Sequence, residues 1–150
     1  MLERGDRAPE FEGLAESDDR VSLLSLRGQV VILYFYPKDN TPGCTRQACA
    51  FRDSFKLLQK KDVAIVGVSP DSPDSHDKFK SKFSLPFPLL SDPSHKVAEA
   101  YGVWKEKSMY GRKFMGVERS TFIINREGKI DAIYRKVKVD GHIEHLLGAL

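Results

Sequence analysis

VVILYFYPKDNTPGC, which occupies residues 30–44, contains the signals of a strand, a break and the start of a helix. Its first seven residues are apolar or aromatic throughout, which predicts a buried central strand. Pro37 ends that run. Thr41 suits the N-cap of a helix, and Pro42 suits its first position, where a missing N–H costs nothing. The sequence therefore predicts a buried strand that leads directly into a helix.

The cysteine at position 44 falls in the first turn of that helix. Free N–H groups and the helix dipole stabilise a negative charge there, so a thiol ionises more readily and becomes a nucleophile. A lone cysteine is more often a small buried apolar residue, but the threonine, proline and glycine before Cys44 favour a reactive role. We therefore interpret Cys44 as a catalytic nucleophile.

A second cysteine, Cys49, follows five residues later on the same predicted helix. Five residues turn an ideal helix by about 140° and separate the two Cα atoms by roughly 8.6 Å. A disulfide needs less than about 7 Å, so the two cysteines cannot bond while the helix is intact. Two cysteines supply too few ligands for zinc, and a thioredoxin redox motif would need Cys-x-x-Cys. Whether Cys49 is reactive or a small packing residue stays open at this point.

The predicted helix has one apolar face, whose members recur three or four residues apart. These members are Ala48, Phe51, Phe55 and Leu58. The polar residues between them, including Arg46, Gln47 and Arg52, are expected on the opposite, solvent-exposed face.

Length and composition indicate an ordinary globular protein. With 150 residues we expect one domain, residues 1–150, that buries a core of its own. A content of only two cysteines is typical of a protein in a reducing compartment. Residues 1–6 show no signal peptide. No apolar run is long enough to span a bilayer. The formal net charge is +3, but the lysines alternate with acidic and apolar positions, so we expect no nucleic-acid partner. The composition predicts a soluble, cytoplasmic protein without a membrane partner.

Strands and helices alternate along the chain. Strands are predicted at residues 21–23, 30–36, 63–69, 120–124 and 130–134. Helices are predicted after Cys44, from residue 71 to about 83, from 91 to 102, and from about 141 to the end. The strands at 30–36 and 63–69 should be parallel in a right-handed βαβ unit, and the last two strands should form a hairpin. This order predicts an α/β, thioredoxin-like fold, a central mixed β-sheet flanked by helices, with an N-terminal extension.

The residues around Cys44 resemble a known family. Pro37-x-x-x-Thr41-x-x-Cys44 resembles the active-site motif of peroxiredoxins, and residues 34–49, YFYPKDNTPGCTRQAC, are similar to the peroxiredoxin Q, or bacterioferritin comigratory protein, subfamily. Three later segments are similar to that subfamily as well: YGVW at 101–104, MGVERSTF at 115–122 and VKVDGH at 137–142. The likeness extends over nearly the whole chain.

The resemblance implies a thiol-dependent peroxidase that reduces hydrogen peroxide and organic hydroperoxides. Cys44 would be the peroxidatic cysteine and Cys49, at the subfamily's common spacing, the resolving one, with thioredoxin or a similar dithiol as reductant. Arg119 and the Thr41 hydroxyl would stabilise charge on the peroxide oxygens, and Pro37 would keep water from the pocket. By themselves, Arg119 is one charged residue among many and Pro37 a strand terminator. The resemblance implies no cofactor and no metal, and it favours a monomer.

Two alternatives remain. One is a one-cysteine cycle, in which Cys49 is buried and an external thiol resolves Cys44. The other is a thioredoxin-like binding or chaperone module with structural cysteines.

His76 and His95 are expected in polar helix starts. The aromatic and methionine residues between 104 and 115 are expected in a loop, either at a pocket rim or over the core.

Overall fold

Strands and helices alternate along the described part of the chain, residues 1–15 and 19–150 of a computed structural model. The strands are β1 (Glu12–Leu14), β2 (Arg20–Ser22), β3 (Val30–Phe35), β4 (Val63–Ser69), β5 (Leu89–Ser91), β6 (Trp104–Met109), β7 (Arg112–Val117), β8 (Ser120–Ile124) and β9 (Ile130–Tyr134). The helices are α1 (Pro42–Asp53), α2 (Phe55–Lys60), α3 (Pro73–Phe83), α4 (Lys96–Ala100) and α5 (His142–Gly148). None of these helices has the length and apolar character needed to cross a membrane.

Five strands form a central mixed sheet in the order β5-β4-β3-β8-β9. β3 pairs parallel with β4, and β4 with β5, whereas β3–β8 and β8–β9 are antiparallel. The predicted mixed sheet, its parallel βαβ unit and the terminal hairpin are therefore confirmed. The short strands β1 and β2 pair with each other outside this sheet and form the predicted N-terminal extension.

The central strand β3 contributes to the core on both faces of the sheet. Leu33 and Phe35 point into one apolar cluster, which includes Tyr101 and Phe122. Their neighbours in the strand point to the other face, into the cluster that holds α1, α3 and α5. Cys44 is part of this second cluster. A strand that is buried on both faces explains the unbroken apolar run from which it was predicted.

Two predicted helices differ from the observed ones. The helix after Cys44 is not continuous, because Ser54 interrupts it with φ −98° and ψ 2° and separates α1 from α2. The helix expected from residue 91 begins only at Lys96, since residues 89–91 pair as β5. Asp92 instead accepts hydrogen bonds from the N–H groups of Val97 and Ala98, and His95 is left-handed with φ 60°.

The loop expected between residues 104 and 115 is a β-hairpin of β6 and β7. Its two-residue turn, Tyr110 and Gly111, has positive φ at both positions, as a type I′ turn requires. The prediction failed because the strands are mostly polar and lie apart from the central sheet, so they lack an apolar alternation. The large apolar side chains near the turn are exposed, so they do not cover the core: Met109, Tyr110, Phe114 and Met115.

Candidate active site

Cys44 lies in the first turn of α1, as predicted. Thr41 occupies the N-cap position in an extended conformation, and Pro42 is the first helical residue. The thiol is buried, with the residue only 2% exposed, and it is free. Its Sγ accepts a hydrogen bond of 3.2 Å from Nη2 of Arg119. The structure therefore brings together two residues that are 75 positions apart in sequence.

The first turn of α1 offers backbone donors beside the sulfur. The N–H of Thr45 bonds to the carbonyl of Thr41 over 2.8 Å, while those of Gly43 and Cys44 find no acceptor among the described residues. Unpaired N–H groups at a helix start stabilise negative charge. These donors are consequently placed to face an oxygen that approaches Cys44.

The Thr41 side chain does not cap the helix. Its hydroxyl donates to the carbonyl of Lys38 over 2.9 Å, so it ties together the segment 37–41 that precedes α1, here called the approach loop. Pro37, at the start of this loop, is half-buried directly after β3. Thr41 thus has the predicted position without the side-chain bond of an N-cap. The proposed roles of Thr41 and Pro37 towards the substrate stay predictions.

Gln47 is a site residue that the sequence analysis missed. It was expected on the exposed face of the helix, and that prediction was wrong: Gln47 is buried, with 1% exposure. Its Oε1 accepts a hydrogen bond of 2.6 Å from Nη1 of Arg119, so one guanidinium binds both Gln47 and the sulfur of Cys44. Its Nε2 has no partner within residues 1–15 and 19–150. The sequence did contain a signal for Gln47, because a residue three positions after Cys44 lies on the same face of the helix.

Cys49 lies on α1 together with Cys44. It is partly exposed, and both thiols are free. Because α1 is intact from Pro42 to Asp53, the two cysteines have the helical spacing that prevents a disulfide in this state.

Lys107 of the β6–β7 hairpin adds a second cation near the site. Partial burial lowers its pKa most, Arg119 lowers it further, and Cys44 and Glu118 act in the opposite direction. The hairpin therefore borders the Cys44–Arg119 pair. Lys107 was not predicted as a site residue, because a loop was expected at its position.

The histidines do not approach Cys44 through any described hydrogen bond. His76 lies near the start of α3, as predicted, but its own side chain is fully buried. His142 is buried and shares a 2.9 Å hydrogen bond with Thr121. Burial, and then the nearby charges of His145 and Arg119, lower the pKa of His142 to about 4, so it is neutral at pH 7. A neutral imidazole bonded to Thr121 is a packing residue.

Comparisons with known proteins identify relatives of this chain. The family model described as AhpC/TSA family matches residues 4–133. Peroxiredoxin Bcp of Bacillus subtilis is 49% identical over 149 residues, which cover 99% of this chain and 95% of that protein. A cysteine-to-serine mutant of PrxQ from Xylella fastidiosa superposes with a TM-score of 0.94 at 35% identity and covers 99% of this chain and 95% of that one.

A further solved structure concerns activity as well as fold. It is the bacterioferritin comigratory protein of Xanthomonas campestris, studied through trapped intermediate and ligand complexes for its alkyl peroxide reduction activity. It has a TM-score of 0.88 and 40% identity, and the match covers 93% of this chain and 88% of that one. These neighbours confirm the predicted thioredoxin-like fold. The chain therefore belongs to the AhpC/TSA family, as a peroxiredoxin of the Q, or bacterioferritin comigratory protein, subfamily, and is a thiol-dependent peroxidase.

Proposed function

We propose that this peroxidase uses Cys44 as its peroxidatic nucleophile and Cys49 as its resolving thiol. The observation that carries the proposal is the 3.2 Å contact between Arg119 Nη2 and Cys44 Sγ at the start of α1. A guanidinium in that place pairs with a thiolate and also with the negative oxygen that peroxide cleavage produces.

The first step transfers one oxygen to the sulfur. The Cys44 thiolate attacks a peroxide oxygen, an S–O bond forms as the O–O bond breaks, and the second oxygen leaves as hydroxide or alkoxide and takes up a proton. Cys44 becomes a sulfenic acid, and the peroxide is reduced by two electrons. The charge that grows on the leaving oxygen is stabilised by Arg119 and by the free N–H groups of Gly43 and Cys44.

Magnitudes show which of these effects matters most. A free cysteine is about 3% thiolate at pH 7, so complete ionisation gains only about thirtyfold, or roughly 2 kcal/mol. Loss of a single oxyanion donor typically costs about 10²–10³-fold. Placement of Arg119 and of the first turn of α1 therefore contributes more to the rate than ionisation does.

In the second step Cys49 resolves the sulfenic acid. Its thiolate attacks the Cys44 sulfur, an S–S bond forms, and the sulfenic oxygen leaves as water after protonation. A dithiol then reduces the disulfide to two thiols. Because both cysteines lie on α1, part of the helix has to unwind before the S–S bond forms.

The proposed substrates are hydrogen peroxide and organic hydroperoxides, and the proposed reductant is thioredoxin or a similar dithiol protein. Alkyl peroxide reduction by the Xanthomonas campestris relative supports the organic class, and family membership supports the reductant. We further propose that the protein acts in the cytoplasm, because two free thiols suit a reducing compartment. Its resemblance to the peroxiredoxin Q subfamily favours a monomer.

The decisive experiment compares peroxide consumption, driven by a thioredoxin system, in the wild type, Cys44→Ser and Cys49→Ser. We expect no turnover with Cys44→Ser. Cys49→Ser should react once with peroxide and then stop as a sulfenic acid, which mass spectrometry detects. Full turnover of Cys49→Ser with thioredoxin would establish the one-cysteine cycle instead, and activity of Cys44→Ser would refute the assignment of the nucleophile.

A further inference from the structure

A buried polar cluster lies beside the approach loop and takes no part in the chemistry proposed above. Its centre is Asp39, an ionisable residue that is only 7% exposed, and its second member is His76, which has no exposed surface. Burying a charged group is costly unless it is paired and hydrogen-bonded. A cluster of this kind next to the peroxidatic helix therefore calls for an explanation.

Asp39 holds three structural elements together. Its Oδ1 accepts a hydrogen bond of 2.5 Å from the hydroxyl of Tyr36, directly after β3. Its Oδ2 accepts bonds from Ser75 Oγ at 2.8 Å and from His76 Nδ1 at 2.7 Å, both on α3. Its backbone N–H donates to Asp71 Oδ2 over 2.8 Å. The approach loop is thus fixed to β3, to α3 and to the segment between β4 and α3.

Both ring nitrogens of His76 have partners. Nε2 lies 3.1 Å from the carbonyl oxygen of Leu90, and Nδ1 lies 2.7 Å from Oδ2 of Asp39. The Asp39 carboxyl group also accepts from the hydroxyl groups of Tyr36 and Ser75. Asp39 and His76 therefore form a buried pair that is fully hydrogen-bonded to its surroundings.

The first turn of α1 depends on this pair because its own cap is incomplete. Thr41 makes no side-chain bond to the helix N–H groups, and Asn40 before it has a left-handed φ of 58°, a conformation that asparagine tolerates better than most residues. Contacts from outside the helix therefore contribute to holding the approach loop in this conformation. Asp39, directly before Asn40, is its most strongly bonded residue.

We propose that Asp39 and His76 are positioning residues of the peroxidatic site: their buried hydrogen-bonded pair anchors the approach loop and thereby keeps Cys44 against Arg119. The inference rests on the proposed function, because it concerns the reaction of Cys44 with peroxide. The pair lies before Cys44 in the chain, whereas the turn that unwinds lies after it. The anchor consequently stays in place while Cys49 moves.

The main test measures single-turnover oxidation of Cys44 by hydrogen peroxide in Asp39→Asn, which removes the charge and keeps the size. We expect oxidation to be about 10–100-fold slower, since a displacement of roughly 1 Å costs about 10²-fold. Asp74→Asn is the matched control, because it makes the same charge change on an exposed residue of α3, and its rate should equal the wild-type rate. His76→Asn retains an N–H towards Asp39 and should be faster than His76→Leu.

Two further measurements separate positioning from stabilisation alone. The ¹⁵N NMR resonance of His76 Nδ1 should shift in Asp39→Asn, because the carboxylate oxygen 2.7 Å from it is exchanged for an amide group. Amide exchange in reduced Asp39→Asn should accelerate at residues 38–45 while β3 and β4 keep their protection. An unchanged oxidation rate in variants whose thermal midpoint has fallen would show that the pair merely stabilises the fold, and would overturn the proposal.

Milder variants keep the test valid if Asp39→Asn does not fold. Tyr36→Phe and Ser75→Ala each remove one bond to Asp39, and each should slow oxidation about 3–10-fold, the value of one hydrogen bond. The double variant Tyr36→Phe/Ser75→Ala should be slower than either single variant, because Asp39 then loses both hydroxyl donors. Wild-type oxidation rates in all three variants would contradict the proposal.

Alkylation of Cys44 by iodoacetamide keeps this inference separable from the proposed function. It reports the placement of the thiol without peroxide, and we expect it to be slower in Asp39→Asn and unchanged in Asp74→Asn. Should wild type and Cys44→Ser consume peroxide equally, the proposed function fails, and the alkylation rates still decide whether Asp39 positions Cys44. Normal peroxide chemistry with identical alkylation and oxidation rates in all variants would refute the positioning role alone.

Discussion

A single guanidinium joins Cys44 and Gln47 on α1. Arg119 donates from Nη2 to the Cys44 sulfur and from Nη1 to Gln47 Oε1, over 3.2 and 2.6 Å. The planar, rigid fork of arginine makes both bonds at once, which a lysine ammonium on its flexible stem does not reproduce. At the scale of residues, orientation of this cation is therefore as important as its charge.

Replacing the cation should slow the peroxide step without unfolding the protein. Arg119→Met is expected to cost about 2–4 kcal/mol in the rate of Cys44 oxidation, the typical effect of losing one oxyanion donor. Arg119→Lys keeps the charge but loses the fork, and it should recover only part of the rate. Stopped-flow oxidation with circular dichroism as a folding control measures both. A rate within a few-fold of wild type in folded Arg119→Met would exclude the assigned role.

Removing the Gln47 amide should separate activity from stability. Gln47→Met has nearly the same volume, so we expect the stability to be unchanged or slightly higher, since Nε2 is buried without a partner among the described residues. The peroxide rate should fall about tenfold, because Arg119 loses the acceptor that orients it. Gln59→Met, at an exposed position of α2, is the control. Equal rates for both variants would mean that Arg119 is held by other contacts.

At the scale of elements, both ends of α1 are held by contacts, whereas its middle has to unwind in the proposed cycle. The approach loop holds its start, and the break at Ser54 separates it from α2. Between them Phe51 stacks on Tyr34 of β3 with ring centroids 4.6 Å apart, which ties the last turns to the sheet. Unwinding from Thr45 to Cys49 breaks helical hydrogen bonds that contribute only about 1 kcal/mol each. The free-energy cost of unwinding is therefore small enough to recur in every proposed cycle.

Oxidation should therefore loosen α1 and leave its neighbour unchanged. After one equivalent of peroxide, we expect faster amide exchange from Cys44 to Phe51, a mass lower by two hydrogens, and unaltered exchange in α2, because Ser54 separates the two helices. Hydrogen exchange with mass spectrometry measures all three. Cys49→Ser is the control, since it forms no intramolecular disulfide and should keep the helix. Retained protection in oxidised wild type, together with a sulfenic or sulfinic Cys44, would exclude Cys49 as the resolving thiol.

At the scale of the whole molecule, α5 covers the face of the sheet that carries Cys44. Its residue His142 is buried there as a neutral imidazole. The pKa of His142 is lowered to about 4, whereas a histidine in an unfolded chain has a pKa of about 6.5. Between these values the unfolded chain binds a proton that the folded protein does not. The contribution of His142 to stability is thus complete above pH 6.5 and is lost as the pH falls towards 4.

The lowered pKa predicts that His142 makes the unfolding free energy depend on pH. Between pH 7 and pH 4.5, the wild type should lose about 2 kcal/mol more unfolding free energy than His142→Gln, which cannot gain the proton. Urea unfolding at both pH values measures the difference. His95→Gln, a histidine stacked on Trp104 outside this face of the core, should follow the wild type. The same pH dependence in wild type and His142→Gln would show that His142 does not titrate in this way.

The parts of the fold that were predictable are those in which local pattern and burial agree. The unbroken apolar runs of β3 and β4 and the threonine–proline signal before Cys44 each specify one conformation. Gln47 and His76 were missed because their burial depends on partners 72 and 37 positions away in sequence. The β6–β7 hairpin was missed because its strands are polar and pair only with each other. Long-range polar contacts leave no periodic signal in a single sequence.

Placing both thiols on one intact helix also affects the redox equilibrium. In the proposed cycle the dithiol state has the complete helix, so the free energy of rewinding α1 favours reduction. With three or four helical hydrogen bonds at about 1 kcal/mol each, the reduction potential rises by about 60–90 mV, since about 30 mV corresponds to 1.4 kcal/mol in a two-electron couple. The helix thereby makes the disulfide easy to reduce, and even a mildly reducing dithiol protein would be able to regenerate the enzyme.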